Sequence, residues 1–585
     1  AENRYERESM NGALLLAVSC VLFYLAYHFY GRLVERVFGV DPVRQTPAHT
    51  LRDGVDYVPT QPAILFGHHF ASIAGAGPIV GPVLAAQFGW VAVALWVVLG
   101  CILIGSVHDL AAMFLSIRHQ GRSIGTVIES LMGYWGRMLF LFFCWFTLVL
   151  VVAEFLRIVA ETFVEIPAVA TASLLFIGLA VGFGRLVYRG GLSVLTGSLI
   201  FVPLTFACVY AGTLFPLDLV KLLGCDVAAA RQLWTVVLLA YCFAASVLPV
   251  WLLLQPRDYL NSYLLYAMMA LGFIGIFVAR PALNLDAFTG WHAVSPLSGR
   301  SDPLIPLLFV TVACGACSGF HALVASGTTA KQVDNERHLR PVAYGGMLIE
   351  GVLAIIALVA VGVMSQAEYA AALKTQGAVK LFAGGVASFT DKLGLPHNAG
   401  IVFISLALAA FLMTTLDTAT RLARFTWQEL FLPRERPEGA PSAIAMPAPS
   451  ASYAFVSNRY VATLVAVAAA GWLLLGGGAK SLWPVFASSN QLLAALTLLG
   501  CSLWLLRHKR PLALTLLPML FMMATSGAAI ITLFLRNARA WQAGGFKAGG
   551  VMTLTTGILI VMSVALIAMG AVSIRQTARH TEKEV

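Results

Sequence analysis

The apolar segments of this 585-residue chain contain a small set of ionisable residues whose types suit proton transfer. His68 and His69 are adjacent, and His108 directly precedes Asp109. His321 stands in a later segment that is rich in glycine and alanine. Histidine changes its protonation near neutral pH, and a neighbouring carboxylate tunes that change. Because ionisable groups inside a membrane are costly, they indicate function. We predict that these residues take part in proton coupling.

Two further groups combine acids with arginines at helical spacing. Glu154, Arg157 and Glu161 are three and four residues apart, so they share one helix face and can pair. A structural ion network near the outer end of that helix is one interpretation, and Glu154 as a proton carrier is the other. Asp417 and Arg421 are four residues apart at a helix end, which favours a satisfied pair, while Asp417 also remains a coupling candidate.

The pair His108 and Asp109 needs a partner from another helix. Neighbours in sequence point about 100° apart on a helix, so we expect the two side chains not to satisfy each other. The helix of His68 and His69 is the expected partner. These four residues are also metal-ligand types, and a metal site is the alternative, although it requires the helix to break at the adjacent histidines. No H-E-x-x-H motif is present, which argues against a zinc protease.

Residues 66–82, FGHHFASIAGAGPIVGP, interrupt an apolar segment with helix breakers. Pro78 and Pro82 lack backbone donors, and Gly75 and Gly77 permit a tight backbone. In hydrocarbon every backbone polar group must be paired, so a helix can break only where protein groups or water replace the lost partners, and we expect the broken segment to face a cavity shared with 320–329. The sequence therefore predicts a break within 70–80 that offers a helix end to a substrate or an ion. A kinked packing helix is the alternative.

A second segment resembles the first and contributes oxygen ligands. Both 67–75 and 319–327 read G-x-H-x-x-x-x-x-G, and the second continues into the hydroxyls of ASGTT, 325–329. Hydroxyl and carbonyl oxygens suit Na⁺ as well as a substrate carboxylate, so sodium and proton coupling both stay open. The predicted substrate and ion ligands are Ser72, Gly75, Ala76, Gly77, Ser326, Thr328 and Thr329.

The elements that must position these residues are membrane spans. Hydrophobic residues make up 59% of the chain, charged residues 11%, and the mean hydropathy is +0.82, which excludes a soluble globular protein. We predict an all-α polytopic membrane protein with about fifteen transmembrane helices. They lie near 11–31, 61–88, 90–117, 136–163, 169–188, 192–214, 232–254, 259–279, 304–329, 342–364, 398–420, 459–477, 484–506, 512–535 and 550–574.

Charge and composition organise the loops. The net charge of +10 is read as a membrane-side bias rather than as nucleic-acid binding, since most lysines and arginines fall in alternate loops. This places the N-terminus outside and the C-terminus in the cytoplasm. Cys314 and Cys317 form a C-x-x-C within a small-residue helix, where close packing is the expected role. The predicted regions are an N-terminal helix and loop, 1–60, a transporter core, 61–432, a Pro/Ala-rich linker, 433–457, and four C-terminal helices, 458–585.

Four motifs resemble the carbon starvation protein A (CstA) family. The resemblance implies an inner-membrane importer of peptides or, with proton coupling, of pyruvate, used during carbon starvation. It also implies a LeuT-like inverted repeat of five plus five helices with 61–88 first, 232–254 sixth and 304–329 eighth; a seven-plus-seven repeat is the alternative. The motifs are FGHHFASIAGAGPIVGPVLAAQFGW (66–90), GSVHDLAAMF (105–114), LLLQPRDYLNSYLL (252–265) and GFHALVASGTTAKQ (319–332).

Together these observations predict an ion-coupled transporter rather than an enzyme. The phosphate-binding motif G-x-x-x-x-G-K-[ST] is absent, so an ion gradient of H⁺ or Na⁺ is the expected energy source, without a cofactor. A broken helix suits a small substrate with a carboxylate, whether peptide or pyruvate. A membrane-embedded ligand sensor is the alternative, although the sequence contains no recognisable output domain.

Overall fold

A computed structural model describes residues 10–53, 56–249, 252–431, 455–478 and 482–583. Within these residues the fold is helical apart from one antiparallel hairpin, β1 His292–Val294 and β2 Ser301–Pro303. The first helices are α1 Gly12–His28, α2 Tyr30–Phe38, α3 Pro47–Thr50, α4 Pro62–Ile73, α5 Gly77–Ala85, α6 Trp90–Gly100 and α7 Ser106–Arg118. The next are α8 Ile124–Glu165, α9 Pro167–Tyr188, α10 Val194–Leu214, α11 Leu219–Leu223, α12 Val227–Val247 and α13 Leu254–Ala279.

The second half repeats this mixture of long and interrupted helices. After the hairpin come α14 Leu304–Thr311, α15 Ala313–Ala316, α16 Gly319–Gly327, α17 Gly345–Gly362, α18 Gln366–Thr390 and α19 His397–Leu430. The C-terminal helices are α20 Arg459–Leu473, α21 Leu482–Arg507, α22 Ala513–Gly544 and α23 Val551–Lys583. Most of the predicted linker 433–457 lies outside the described residues.

The number of spans agrees with the sequence. Thirteen helices of the described residues are long and apolar enough to cross a membrane, and the bent pair α4–α5 makes fourteen. The one predicted span that this count leaves out, 304–329, consists of the short helices α14, α15 and α16. The prediction of about fifteen apolar spans with broken helices is therefore confirmed.

The predicted break within 70–80 is also confirmed. Helix α4 ends at Ile73, α5 begins at Gly77, and the two axes differ by 45°. Pro78 occupies the first turn of α5, where its missing N–H costs no helical hydrogen bond. The same proline cannot extend α4, because its ring would clash with the preceding turn. The breakers of 66–82 thus act locally, as the sequence indicates.

Three backbone features recur in the same order in the two halves of the molecule. A broken span comes first, as α4–α5 and again as α14–α16. A helix with one π-helical turn follows, at Cys101–Gly105 and at Arg340–Tyr344. A helix bent at a positive-φ glycine comes third, at Gly133 with φ 77° and at Gly377 with φ 70°. The two broken spans are seven spans apart, so the second set runs in the opposite direction. This is an inverted repeat with broken helices.

The repeat changes the interpretation of the helix that was predicted to begin the second half and of the G-x-H echo. Its second broken span is 304–329, whereas α12, in the region predicted as the sixth helix, is continuous. The G-x-H echo does not mark equivalent positions, because Gly67 precedes the first break and Gly319 follows the second. The echo is therefore a coincidence between two helices that lie close together.

Candidate functional site

The first break is buried and tightly packed. Residues 74–76 are enclosed, and the backbone N–H groups of Ala76 and Gly77 have no hydrogen-bond partner among the described residues. A Cβ atom on Gly75 would lie 2.7 Å from Thr415 Oγ1, and one on Gly77 would overlap the side chain of Cys314. Glycine is required at both positions because α19 and α15 approach the backbone so closely. The start of α5 thus presents two unpaired donors at the positive end of a helix.

The second break is capped by a residue from the C-terminal helices. Asn490 of α21 accepts a hydrogen bond from the Phe320 N–H at 2.8 Å through Oδ1, and its Nδ2 donates to Ser318 Oγ at 3.0 Å. Gly319 packs directly on the α21 backbone near Ala494. Sequence reasoning did not identify Asn490; its signal was the polar run SSNQ, 488–491, within a predicted span.

Four buried ionisable residues form a connected network beside the breaks. We define the histidine–carboxylate cluster as His108, Asp109, His321 and Glu350, each at most 1% exposed. The two oxygens of Asp109 bond separate histidines: Oδ1 lies 2.8 Å from His108 Nδ1, and Oδ2 lies 2.8 Å from His321 Nδ1. His321 Nε2 is 3.3 Å from Glu350 Oε2. The ring of His321 also interacts with the Ile73 carbonyl at the end of α4. The cluster therefore touches the first break.

The expectation about His108 and Asp109 was wrong in two respects. Their side chains do bond each other, because Nδ1 lies close to the backbone and both side chains can lean together despite their different directions. The partner from another helix is His321 of α16 rather than a histidine of α4.

The adjacent histidines have different environments. His69 is fully buried, and its Nδ1 lies 2.9 Å from Thr329 Oγ1. It is within electrostatic range of Asp109 and His321 but forms no hydrogen bond with either. His68 instead lines a cavity. No group of three or more His, Cys, Asp or Glu side chains in the described part of the chain is arranged to hold a metal ion.

A second buried network was not anticipated. We define the arginine–carboxylate cluster as Tyr241, Arg257 and Asp417. Asp417 Oδ2 accepts from Tyr241 Oη at 2.9 Å and lies 2.6 Å from Arg257 Nη1, which also donates to Tyr241 Oη. Arg257 is 1% exposed, while its Nε and Nη2 and Asp417 Oδ1 have no hydrogen-bond partner. Tyr241 lies in α12, Arg257 in α13 and Asp417 in α19, so the cluster joins three helices through a buried charge pair that still has unpartnered polar atoms.

The predicted pair of Asp417 and Arg421 was wrong. Arg421 donates to the carbonyls of Ala245 and Leu248 at the end of α12, at 2.8 and 3.0 Å. The predicted span limits of 232–254 and 259–279 assigned Arg257 to a loop, whereas the structure places it in the first turn of α13. Its burial was therefore missed.

The predicted network of Glu154, Arg157 and Glu161 is confirmed as an ion network. Arg157 lies 2.6 Å from Glu154 Oε1 and 2.7 Å from Glu161 Oε2. Arg157 and Glu161 line a cavity of about 400 Å³, whereas Glu154 is fully buried behind them.

The break lies between two cavities on opposite faces. One cavity of about 1080 Å³ is bordered by segments that the distribution of lysine and arginine predicts to lie on the cytoplasmic side, including 121–126 and 327–332. The cavity of about 400 Å³ is bordered by loops that the same distribution predicts to lie on the outer side, including 295–302. Neither of these two cavities is lined by residues 74–77, so neither is the cavity shared with 320–329 that we expected the break to face. In this conformation, side chains and helix α15 cover the break.

The predicted hydroxyl ligands differ in what their side chains contact. Ser72 and Ser326 donate within their own helices, to the carbonyls of His68 and Ala322. Thr328 donates to Val324 O and lines the larger cavity, while Thr329 contacts His69. Thr415, which the sequence did not single out, has an unpartnered hydroxyl beside Gly75.

This arrangement can bind an anion and move a proton. The start of α5 offers N–H groups and a helix dipole to a negative group. The histidine–carboxylate cluster offers four linked groups in which a proton can change place over distances of 2.8–3.3 Å. Because the cluster reaches the break through His321, charge at one site affects the other.

Comparison with known proteins identifies the family. The family model of the carbon starvation protein CstA matches residues 11–374 and 369–529. A peptide transporter CstA of Escherichia coli is 33% identical over 577 residues, covering 86% of this chain and 78% of the relative. A pyruvate/proton symporter BtsT of the same organism is 32% identical, covering 90% of this chain and 82% of the relative.

Among solved structures, a mutant manganese transporter of Eremococcus coleocola is similar at a TM-score of 0.41 and 13% identity. The alignment covers 88% of this chain and 95% of that chain. At this score the likeness identifies no shared site.

Proposed function

This chain belongs to the carbon starvation protein CstA family, and we propose that it is a secondary active importer of small nutrients that carry a carboxylate, either short peptides or pyruvate. The chain is a multi-pass membrane transporter rather than an enzyme. The relatives transport peptides or pyruvate by name, which supports both substrate classes.

The start of α5 carries the proposal. Its unpaired N–H groups at Ala76 and Gly77 lie in a buried site between cavities on the two faces. A substrate carboxylate bound there would replace the missing acceptors, and the helix dipole of about half a charge favours it. A carboxylate is common to peptides and pyruvate, so this contact serves either substrate.

Proton coupling is the favoured energy source. The histidine–carboxylate cluster joins the break to α7 and α17 through groups that are able to exchange protons. Sodium is the second candidate, because the Thr415 hydroxyl lies unpartnered beside Gly75 and supplies an oxygen of the kind that binds a hard cation. No cofactor is required in either scheme.

The two cavities support alternating access. In the proposed cycle, the conformation described here is open toward the cytoplasm through the larger cavity, and the smaller cavity is the outer vestibule. We place the protein in the bacterial inner membrane with its N-terminus outside and its C-terminus in the cytoplasm, because the basic loops then face inward. Its partners are the substrate and the bilayer, and use during carbon starvation is part of the proposal.

Uptake into proteoliposomes tests the proposal. Labelled pyruvate and labelled dialanine are offered in separate experiments with an inward H⁺ gradient, an inward Na⁺ gradient or no gradient. We expect at least one substrate to accumulate above equilibrium with a proton gradient only. Accumulation with sodium only would assign the coupling ion to Na⁺, and accumulation without any gradient would overturn secondary transport.

A matched pair of glycine variants tests the binding site. Gly77→Ala places a Cβ against Cys314, whereas Gly178→Ala meets no atom within 4 Å and serves as the control. We expect Gly77→Ala to abolish uptake while the protein remains folded by size-exclusion chromatography, and Cys314→Gly to restore part of it in the double variant. Equal uptake by Gly77→Ala and Gly178→Ala would remove the break from the transport path.

A further inference from the structure

A third cavity lies apart from the transport site, where several membrane spans end. Its volume is about 420 Å³, and it lies among the ends of α2, α7 and α21 and the part of α8 that precedes Gly133. Trp135, two residues beyond that glycine, is 71% exposed, as expected of an aromatic anchor at a membrane interface. The cavity therefore opens at the level of the lipid headgroups.

The lining of this cavity is strongly basic. Arg118 has a carboxylate partner, Glu336, at 2.9 Å. The other three arginines form no ion pair among the described residues, and no aspartate or glutamate lines the cavity. The basic residues of the lining are Arg44, Arg118, Arg507, Arg510, His119 and His508.

Hydrogen bonds to backbone carbonyls use only some of the N–H donors of these guanidinium groups. Arg510 donates through Nη1 to Val37 O at 2.8 Å, and Arg507 donates to Ser130 O and Leu131 O at 2.8 and 2.9 Å. Each guanidinium carries five N–H groups, so donors remain. The side chain of Arg44 forms no hydrogen bond among the described residues, and Arg118 Nε is buried without a partner. An unpartnered buried donor such as Arg118 Nε indicates that an acceptor is missing from this site.

Aromatic packing holds one basic side chain of the cavity, His508. The Trp504 and His508 rings stack at 3.9 Å, and Phe38 stacks on Trp504 at 6.4 Å. Burial, and the charges of Arg122 and Arg507 among other neighbours, lower the pKa of His119. His508 is thus held by ring packing, whereas Arg507 and Arg510 are held by hydrogen bonds to helix-end carbonyls.

We infer that this cavity binds a phosphate group, supplied either by an anionic phospholipid headgroup or by a soluble phosphate. Arginine forks match the oxygens of phosphate, and the volume suits a group of that size. A basic pocket at span ends is also the kind of site that anionic headgroups occupy. The bound group would join α2, α7, α8 and α21, and thereby tie the C-terminal helices to the core.

Native mass spectrometry of the full-length protein tests this inference. The purified protein is mixed with equal amounts of phosphatidylglycerol and phosphatidylcholine, and the retained lipids are counted. We expect phosphatidylglycerol to be retained about fivefold more strongly, and each arginine removed to weaken it by about fivefold. The variants are Arg44→Gln and Arg44→Gln/Arg510→Gln. Arg52→Gln removes an equal charge from an exposed position outside the cavity and serves as the control.

Thermal unfolding in micelles of a detergent without phosphate separates the two sources. A rise in midpoint with inorganic phosphate that Arg44→Gln lowers and Arg52→Gln retains would support a soluble phosphate ligand. The same pattern with phosphatidylglycerol alone would support the lipid. Arg44 makes no contact that the fold requires, so this variant remains informative if the double variant fails to fold. Equal binding by Arg44→Gln and Arg52→Gln, or no binding of either probe by the parent protein, would overturn the inference.

Discussion

The histidine–carboxylate cluster and the arginine–carboxylate cluster are both buried, yet they suit different tasks. In the first, His321 joins two acids on two other helices, and each of its members can gain or lose a proton. In the second, Arg257 stays charged at every physiological pH and holds Asp417 at 2.6 Å. A histidine network can therefore carry a changing charge, whereas an arginine pair keeps its charge and joins helices.

Their positions strengthen this contrast. The histidine–carboxylate cluster reaches the first break through the Ile73 carbonyl. The arginine–carboxylate cluster joins α12 and α13 to α19, and Arg421 and Arg424 add further bonds from α19 to the end of α12. We therefore expect changes in the first cluster to affect transport and changes in the second to affect stability.

The largest expected effect is the loss of proton-driven uptake in His321→Gln. Glutamine can keep a hydrogen bond to Asp109 but cannot carry a proton, so accumulation should fall to the level of empty liposomes. Exchange of labelled for unlabelled substrate, which needs no net proton movement, should persist. Measurement of both in the same proteoliposomes checks the prediction. Undiminished proton-driven accumulation would remove this cluster from the coupling path.

The second effect is a loss of stability in Arg257→Leu. This change leaves the Asp417 carboxylate buried without its cation, which costs about 3–5 kcal/mol. Thermal unfolding in detergent should show a lower midpoint, and Arg257→Leu/Asp417→Leu should recover part of it. Arg231→Leu, at an exposed position on α12, is the control and should change little. An unchanged midpoint in Arg257→Leu would contradict the structural role.

A smaller effect is expected at the cap of the second break, where we expect both transport and stability to change. Asn490→Ala leaves the buried Phe320 N–H without an acceptor, at a cost of about 1–3 kcal/mol. Because α16 also carries His321, uptake should fall together with the unfolding midpoint. Asn490→Asp keeps an acceptor for Phe320 and should preserve more stability than alanine. If alanine changed neither quantity, the cap would have no role in positioning α16.

The smallest effect is expected for Cys317→Ala. The thiol lies close to Asp109 and Glu350 without a hydrogen bond to them, so its removal leaves a small void worth at most about 1 kcal/mol. Uptake should remain near that of the parent protein, measured in the same assay. A severe loss of uptake would show that the histidine–carboxylate cluster extends to this thiol.

Local features of the site were readable from the sequence. The break at residues 74–76 follows from Pro78 and its flanking glycines, which act within one helical turn. Ion pairing of Glu154, Arg157 and Glu161 follows from their spacing on one helix, since i, i+3 and i+4 neighbours meet wherever the helix lies. The membrane class and the number of spans follow from hydropathy, because the bilayer sets the length of each apolar helix.

Contacts between helices required the tertiary structure. The partner of Asp109 is His321 and the partner of Asp417 is Arg257, and in both cases sequence reasoning chose a residue that was nearer along the chain or on the wrong helix. Helix geometry determines which face a residue occupies but not which other helix packs on that face. Asn490 shows the same limit, because α21 reaches the second break only through the packing of the whole bundle.

The sequence by itself thus determined a membrane protein of about fifteen apolar spans, a break in the helix within residues 70–80 and the polar residues that could serve transport. Only the tertiary structure decided that the two breaks meet, that the break is covered between two cavities, and that two separate charge networks exist. The physical reason is range: breakers and helical spacing act over a few residues, whereas each buried charge is satisfied by whichever helix packing brings within about 3 Å.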